Sequence, residues 1–145
     1  MSTVSLEWVD SYLMTAADSR GVPLVIGSWS EKEPKWQGLK ASDLLLLAAA
    51  SCSSWDVIMI LTKWREPLKG LHVTCTGENM AEPPYKFTKI HLHYAIEGAI
   101  HPDKVARAIE LSLEKYCSVT NTLRAGVEIT SDFEIKSPEI GRAHV

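Results

Sequence analysis

The sequence predicts an α+β fold built around one long buried helix, and three stretches predict it. From Ala41 to Arg65 the chain carries no Gly and no Pro, and from Leu44 to Ala50 every side chain is apolar. A surface helix would show a polar stripe there, so this segment reads as a helix covered on all sides. Leu71 to Gly77 and Tyr85 to Glu97 each alternate apolar and polar residues, the mark of half-buried strands. Pro102 to Tyr116 repeats apolar residues at helical spacing instead. Strands, helix, strand pair, helix and strand thus segregate rather than alternate regularly. With 145 residues, one domain is expected over 1–145. A single copy of that size struggles to wrap a helix apolar all round, so a homodimer is expected, the strands of one chain covering the helix of the other.

The elements follow in order. Thr3–Val9 and Ser11–Ala17 read as short strands split near Asp10, and Asp18-Ser19-Arg20-Gly21 as a turn. Pro23–Ser28 makes a third strand, and Ser30–Gly38 a charged loop. Ser42 suits an N-cap and Asp43 a first-turn acid, so the central helix is expected to start there. Pro67 and Gly70 close it. The next strand places Leu71, Val73 and Cys75 inward, against His72, Thr74 and Thr76. Pro83-Pro84 marks a turn. Ile90, Leu92, Tyr94 and Ile96 then share the inner face of a second strand, antiparallel to the first, with Lys89, His91, His93 and Glu97 outside, and Gly98 ends it. Pro102 sits at a helix N1 position. Val105, Ala108, Ile109, Ser112, Leu113 and Tyr116 lie on one helical face, followed by Cys117. Ser118–Arg124 adds one or two turns closed by Gly126. Val127–Ile135 is the last strand, and a loose tail is expected from Ser137.

Composition narrows the function. The formal charge is −3, which argues against a nucleic-acid partner. MSTVSLEWVD lacks the basic and apolar regions of a secretory signal, and a cytoplasmic location is expected. Leu44–Leu61 approaches the length of a membrane span, but the serines and Asp56 interrupt it, so no membrane partner is expected. In a reducing compartment the three cysteines are free, buried or redox-active rather than staples.

Two readings of Cys52 stand side by side. A free cysteine is commonly a small buried hydrophobe. Yet the apolar run stops at Ser51, and Ser53 with Asp56 has the spacing of a capping box. A helix break at Cys52 would put the thiol near a second helix N-terminus and lower its pKa. Cys117, at the end of an amphipathic helix, is a structural residue or, with Cys52, a resolving thiol. Cys75 reads as core packing. His72, His91 and His93 lie across two strands and suit zinc, but equally a solvated strand face. No metal is expected. Neither a phosphate-binding glycine loop nor a CxxC pair is present.

Taken together, SDLLLLAAASCSSWDVIMIL, KGLHVTCTGE, PPYKFTKIHLHYAIEG, HPDKVARAIELSLEKYCSV and GVEI resemble the osmotically inducible protein C / organic hydroperoxide resistance (OsmC/Ohr) family. The resemblance covers roughly residues 20 to 135. It implies an α+β OsmC-like fold, antiparallel sheets around the central helix, and an intertwined homodimer. It also implies a thiol peroxidase. Cys52 would attack an organic hydroperoxide, Cys117 would resolve the sulfenic acid as a disulfide, and a small dithiol or lipoylated protein would reduce it. No cofactor is implied. Leu44–Ala50, Trp36 and Trp55 would line a channel for the alkyl group. Where the peroxidase branches carry a glutamate paired with an arginine, this chain has Ser42, with Asp43 the next residue. One residue on a helix turns a side chain by ~100°. Arg20, in an early turn, is the candidate arginine. Ser118 replaces a proline common after the second cysteine. These departures place the chain nearer a less characterised branch, where a non-catalytic redox-responsive or small-hydrophobe-binding role is the alternative.

Overall fold

The computed structural model describes residues 1–28 and 38–137. The chain divides into two compact units, Met1–Leu45 and Leu46–Val145. The charged loop with Trp36, and the tail beyond Ser137, lie outside the described residues.

The first unit is an antiparallel meander of β1 (Ser5–Asp10), β2 (Tyr12–Ala17) and β3 (Pro23–Ser28), in the order 1-2-3. Asp10 pairs with Leu13 across the first reversal, and Trp8 Nε1 donates to Ser11 O at 2.9 Å. The second reversal is closed by Asp18, whose carboxylate accepts from the amides of Arg20 (2.8 Å) and Val22 (2.9 Å). Those Val22 and Arg20 amides hold the Asp18 carboxyl below its usual range.

Helix α1 spans Ala41–Lys63. The amide of Leu44 bonds Lys40 O, so the helix starts just before Ser42, which lies inside the first turn rather than capping it. It ends before Pro67. Arg65 adopts φ 59°, its amide bonds Thr62 O, and the Glu66 amide reaches back to Leu61 O. This is a Schellman ending with arginine where glycine is usual. Within the single chain the expected all-round burial holds on one face only. Ala49, Ser53, Asp56, Val57, Ile60 and Leu61 are buried, whereas Leu47, Trp55, Ile58 and Met59 are exposed.

In the second unit β4 (Gly70–Asn79) pairs antiparallel with β5 (Phe87–Glu97), Val73 opposite Tyr94. Ile90, Leu92, Tyr94 and Ile96 are fully buried, as their alternation predicts. Gly98 follows at φ 149°, where an added Cβ would collide with the carbonyl of Pro67. Helix α2 (Pro102–Leu111) starts at the predicted proline, with His101 Nδ1 accepting from the Asp103 amide. It then passes into a π turn, Ser112–Tyr116, and a short helix α3, Ser118–Leu123. The last strand, β6 (Glu128–Lys136), runs parallel to β5, so this sheet is mixed rather than purely antiparallel. The two helices between β5 and β6 return the chain to the start of the sheet, as a parallel pairing requires. Val57, Ile60 and Leu61 of α1 pack with Leu92, Tyr94 and Ile96 of β5 and with Val105, Ala108 and Ile109 of α2.

Candidate active site

Helix α1 runs unbroken through Cys52, so the predicted break does not occur. Ser53 and Asp56 do not form a capping box; both are buried and bonded to other elements. Ser53 Oγ bonds Tyr94 Oη (2.5 Å) and Ser112 Oγ (2.9 Å), and Ser112 Oγ donates to Asp56 Oδ2 (2.9 Å). The helix N-terminus that does reach Cys52 belongs to another element, α3.

Cys117 is fully buried and caps α3: its backbone is extended (φ −75°, ψ 107°) and its Sγ accepts from the Thr120 amide at 3.4 Å. The π turn puts it there. In that turn the Cys117 amide bonds Ser112 O at 2.7 Å, five residues back. The extra residue shifts the helical phase, which is why Tyr116 is half exposed instead of buried with Leu113. Side chains from α3 and its C-terminal end bond carbonyls on either side of the π turn's exit. Asn121 Nδ2 donates to Leu113 O (3.1 Å) and Cys117 O (2.8 Å), and Arg124 Nη2 donates to Leu113 O.

The two thiols meet. Cys52 and Cys117 are near enough for each to shift the other's acidity, and Cys52 Sγ lies 3.9 Å from the hydroxyl of Ser118, the residue after Cys117. Their acidities diverge. Partial burial pushes the Cys52 thiol up, but the Val119 amide, the Cys117 thiol, and the Ser118 hydroxyl and amide outweigh it and leave Cys52 below the ordinary thiol value. At Cys117 burial dominates over the bonds from Thr120, and the Cys52 sulfur adds to it, so that thiol is raised. Cys52 is therefore the better thiolate and Cys117 the reserve thiol. Burial of Tyr94 pushes its phenol up to about 12 despite the bond to Ser53.

Each partner of Cys52 named above lies in the second unit. Arg20, in the Asp18–Gly21 turn, and Asp43, in the first turn of α1, belong to the first unit. Trp55 is 73% exposed on α1. Cys75 is half-buried against the core, as expected, and burial raises its pKa. His91 and His93 turn towards β6. His91 bonds Thr130 Oγ1 (2.7 Å) and Asp132 Oδ1 (2.7 Å), and His93 bonds Asp132 Oδ1 (2.8 Å) and Glu134 Oε1 (3.3 Å). Among the described residues no group of three or more His, Cys, Asp or Glu side chains is placed to hold a metal ion. Sequence reading missed Ser112, Tyr94, Asn121 and Ser118 as parts of the site. The serines flanking each cysteine were the available signal.

Residues 33–132 match the family described as OsmC-like protein. Protein YhfA of Escherichia coli K12 is 35% identical over 132 residues, covering 90% of this chain and 95% of that protein. The crystal structure of a hypothetical protein from Aquifex aeolicus VF5 superposes with a TM-score of 0.84 at 27% identity, covering 96% of this chain and 98% of the other. The crystal structure of an organic hydroperoxide resistance protein OsmC from Legionella pneumophila superposes with a TM-score of 0.68 at 15% identity, covering 92% of this chain and 96% of the other, a likeness of fold.

Proposed function

The chain belongs to the OsmC-like family, and from that premise we propose that it is a soluble, cytoplasmic, homodimeric thiol peroxidase for small organic hydroperoxides. The observation that carries the reading is the seating of Cys52 against the Cys117–Ser118 segment, Sγ to Ser118 Oγ at 3.9 Å, and the opposite acidity shifts of the two thiols, Cys52 lowered and Cys117 raised, support it. The Cys52 thiolate attacks the outer oxygen of ROOH, the O–O bond breaks, and RO⁻ leaves to take a proton as ROH. Cys52 is then a sulfenic acid. The Cys117 sulfur attacks the Cys52 sulfur, a disulfide forms, and water leaves with the thiol proton. A dithiol such as a lipoyl group reduces the disulfide by exchange and becomes a disulfide itself. The neighbours of Cys52 suit this chemistry. The amides of Ser118 and Val119 and the Ser118 hydroxyl do for the thiolate what an acid–arginine pair would do elsewhere, without a formal charge. Arg20 and Asp43 remain the candidates for a charged contribution. The dimer is supported by the exposed stripe Leu47, Trp55, Ile58 and Met59 on α1, an apolar face that a second copy would cover.

The purified protein is expected to consume tert-butyl hydroperoxide in the presence of dihydrolipoamide or dithiothreitol. Cys52→Ser abolishes consumption, and Cys117→Ser stops without thiol after one equivalent, with Cys52 held as the sulfenic acid. Undiminished consumption by Cys52→Ser would overturn the reading. The competing reading, a redox-responsive protein that does not turn over, is favoured by Ser42 and by the neutral partners of Cys52. Its sign is stoichiometric oxidation of Cys52 with no continued consumption under excess dithiol.

A further inference from the structure

Four polar side chains form a chain through an otherwise apolar core. Tyr94 of β5, Ser53 of α1 and Ser112 at the start of the π turn are each 0% exposed, and Asp56 of α1 is 7% exposed. Their bonds run Tyr94–Ser53 (2.5 Å), Ser53–Ser112 (2.9 Å) and Ser112–Asp56 (2.9 Å), and Ser112 Oγ also reaches Ser53 O at 3.3 Å. The directions are forced. Ser112 spends its one proton on acceptors of α1, so Ser53 donates to Ser112 and Tyr94 donates to Ser53. Removal of Ser53 takes away the bond of the buried Tyr94 hydroxyl, and removal of Ser112 the bond to Asp56 Oδ2.

The two middle members of this chain, Ser53 and Ser112, connect it to the two cysteines. Ser53 follows Cys52 directly. Ser112 supplies, through its carbonyl, the 2.7 Å bond that holds the Cys117 amide. A core that needed only burial would be served by apolar residues here, since a buried polar group is destabilising whenever its partner is lost. We infer that the Tyr94–Ser53–Ser112–Asp56 chain is a positioning device, which locks α1 to the π turn in the one register that keeps Cys52 and Cys117 in contact. Its catalytic meaning rests on the peroxidase reading above; its effect on the thiol pair does not. Ser112 is the central positioning residue because it bonds α1 through its hydroxyl and Cys117 through its carbonyl.

The test equilibrates the protein with reduced and oxidised glutathione, in which two protein thiols and one oxidised glutathione give one protein disulfide and two reduced glutathiones. The Cys52–Cys117 fraction is read by mass spectrometry. Ser112→Ala is expected to lower the equilibrium constant about tenfold, a shift of about 30 mV, and Tyr94→Phe about threefold. Asp56→Asn, which keeps an oxygen acceptor for Ser112, is expected to stay within twofold of the parent. Ile109→Val, a core truncation that leaves the side-chain hydrogen bonds of all four residues in place, is expected to lower the Tm and leave the constant alone. A constant unchanged in Ser112→Ala and Tyr94→Phe, or lowered as much by Ile109→Val, would overturn the inference. Tert-butyl hydroperoxide consumption is followed on the same proteins. A parent that consumes none, with the glutathione constants moving as expected, would sink the peroxidase reading and leave the positioning device standing.

Discussion

At the scale of single residues, acidity separates the two thiols more than position does. Cys52 is lowered although burial works against it, because amides and hydroxyls of a neighbouring element face its sulfur. Its alkylation by iodoacetamide should therefore rise with pH at a lower midpoint than that of Cys117. Ser118→Ala should move the Cys52 midpoint up, and Ser118→Pro, which removes the amide proton as well, should move it further. Equal midpoints for Cys52 and Cys117 in the parent would contradict this. Part of it was legible in the sequence. The serines around Cys52 and the Tyr-Cys-Ser ending marked both sulfurs, and Cys75 was placed in the core by alternation alone. The source of the activation was not legible. The spacing of Ser53 and Asp56 suggested a local cap, but those side chains were committed to Tyr94 and Ser112, partners 41 and 59 positions away from Ser53. Local spacing cannot reveal a bond whose partner comes from another element.

At the scale of elements, helix ends and phase carry the lessons. Pro67 and Gly70 announced the close of α1, but the turn itself is made by Arg65 in a left-handed conformation. That conformation costs a non-glycine residue roughly 1–2 kcal/mol. Arg65→Gly, at this exposed position, is expected to raise stability by about 1 kcal/mol in urea denaturation; a loss of stability would show that the arginine side chain contributes more than its backbone costs. The period of α2 holds to Leu113 and fails at Tyr116, because a π turn inserts a residue that no hydrophobic pattern encodes. The histidines of β5 were visible as an outer face, but their partners on β6 depended on a parallel pairing that the sequence did not suggest. Those pairs set a pH dependence. The bonds to Asp132, then Glu134, raise His93 above 6.5, and the bonds from His93, then His91, lower Asp132 below 3.8. The histidine contribution is fully present below 6.5 and fades as pH rises through the raised value. The carboxylate contribution is present above 3.8 and fades as pH falls through the lowered one. The Tm difference between the parent and Asp132→Asn should thus be widest at about pH 5 and narrower at about pH 8. A difference that does not vary with pH would rule the ladder out as a source of stability.

At the scale of the whole molecule, the α+β architecture follows from three patterns: a helix with no polar stripe, two alternating strands and an amphipathic helix. Their order was enough to predict which residues fill the core of the second unit, down to the fully buried Leu92 and Tyr94. A single chain covers only part of α1, and the uncovered stripe Leu47, Trp55, Ile58 and Met59 is the physical reason to expect a second copy. Trp55→Glu with Met59→Glu is expected to convert a dimer to a monomer in sedimentation velocity, while a parent that already sediments as a monomer would refute the expectation. The central claim is narrower than the assembly: Cys52 and Cys117 are one redox couple, with Cys75 outside it. The most direct measurement treats the reduced protein with one equivalent of tert-butyl hydroperoxide, blocks free thiols, and maps peptides without reduction. A Cys52–Cys117 disulfide with Cys75 alkylated is the predicted result; Cys52 recovered as a free thiol, or bridged to Cys75, would contradict the account.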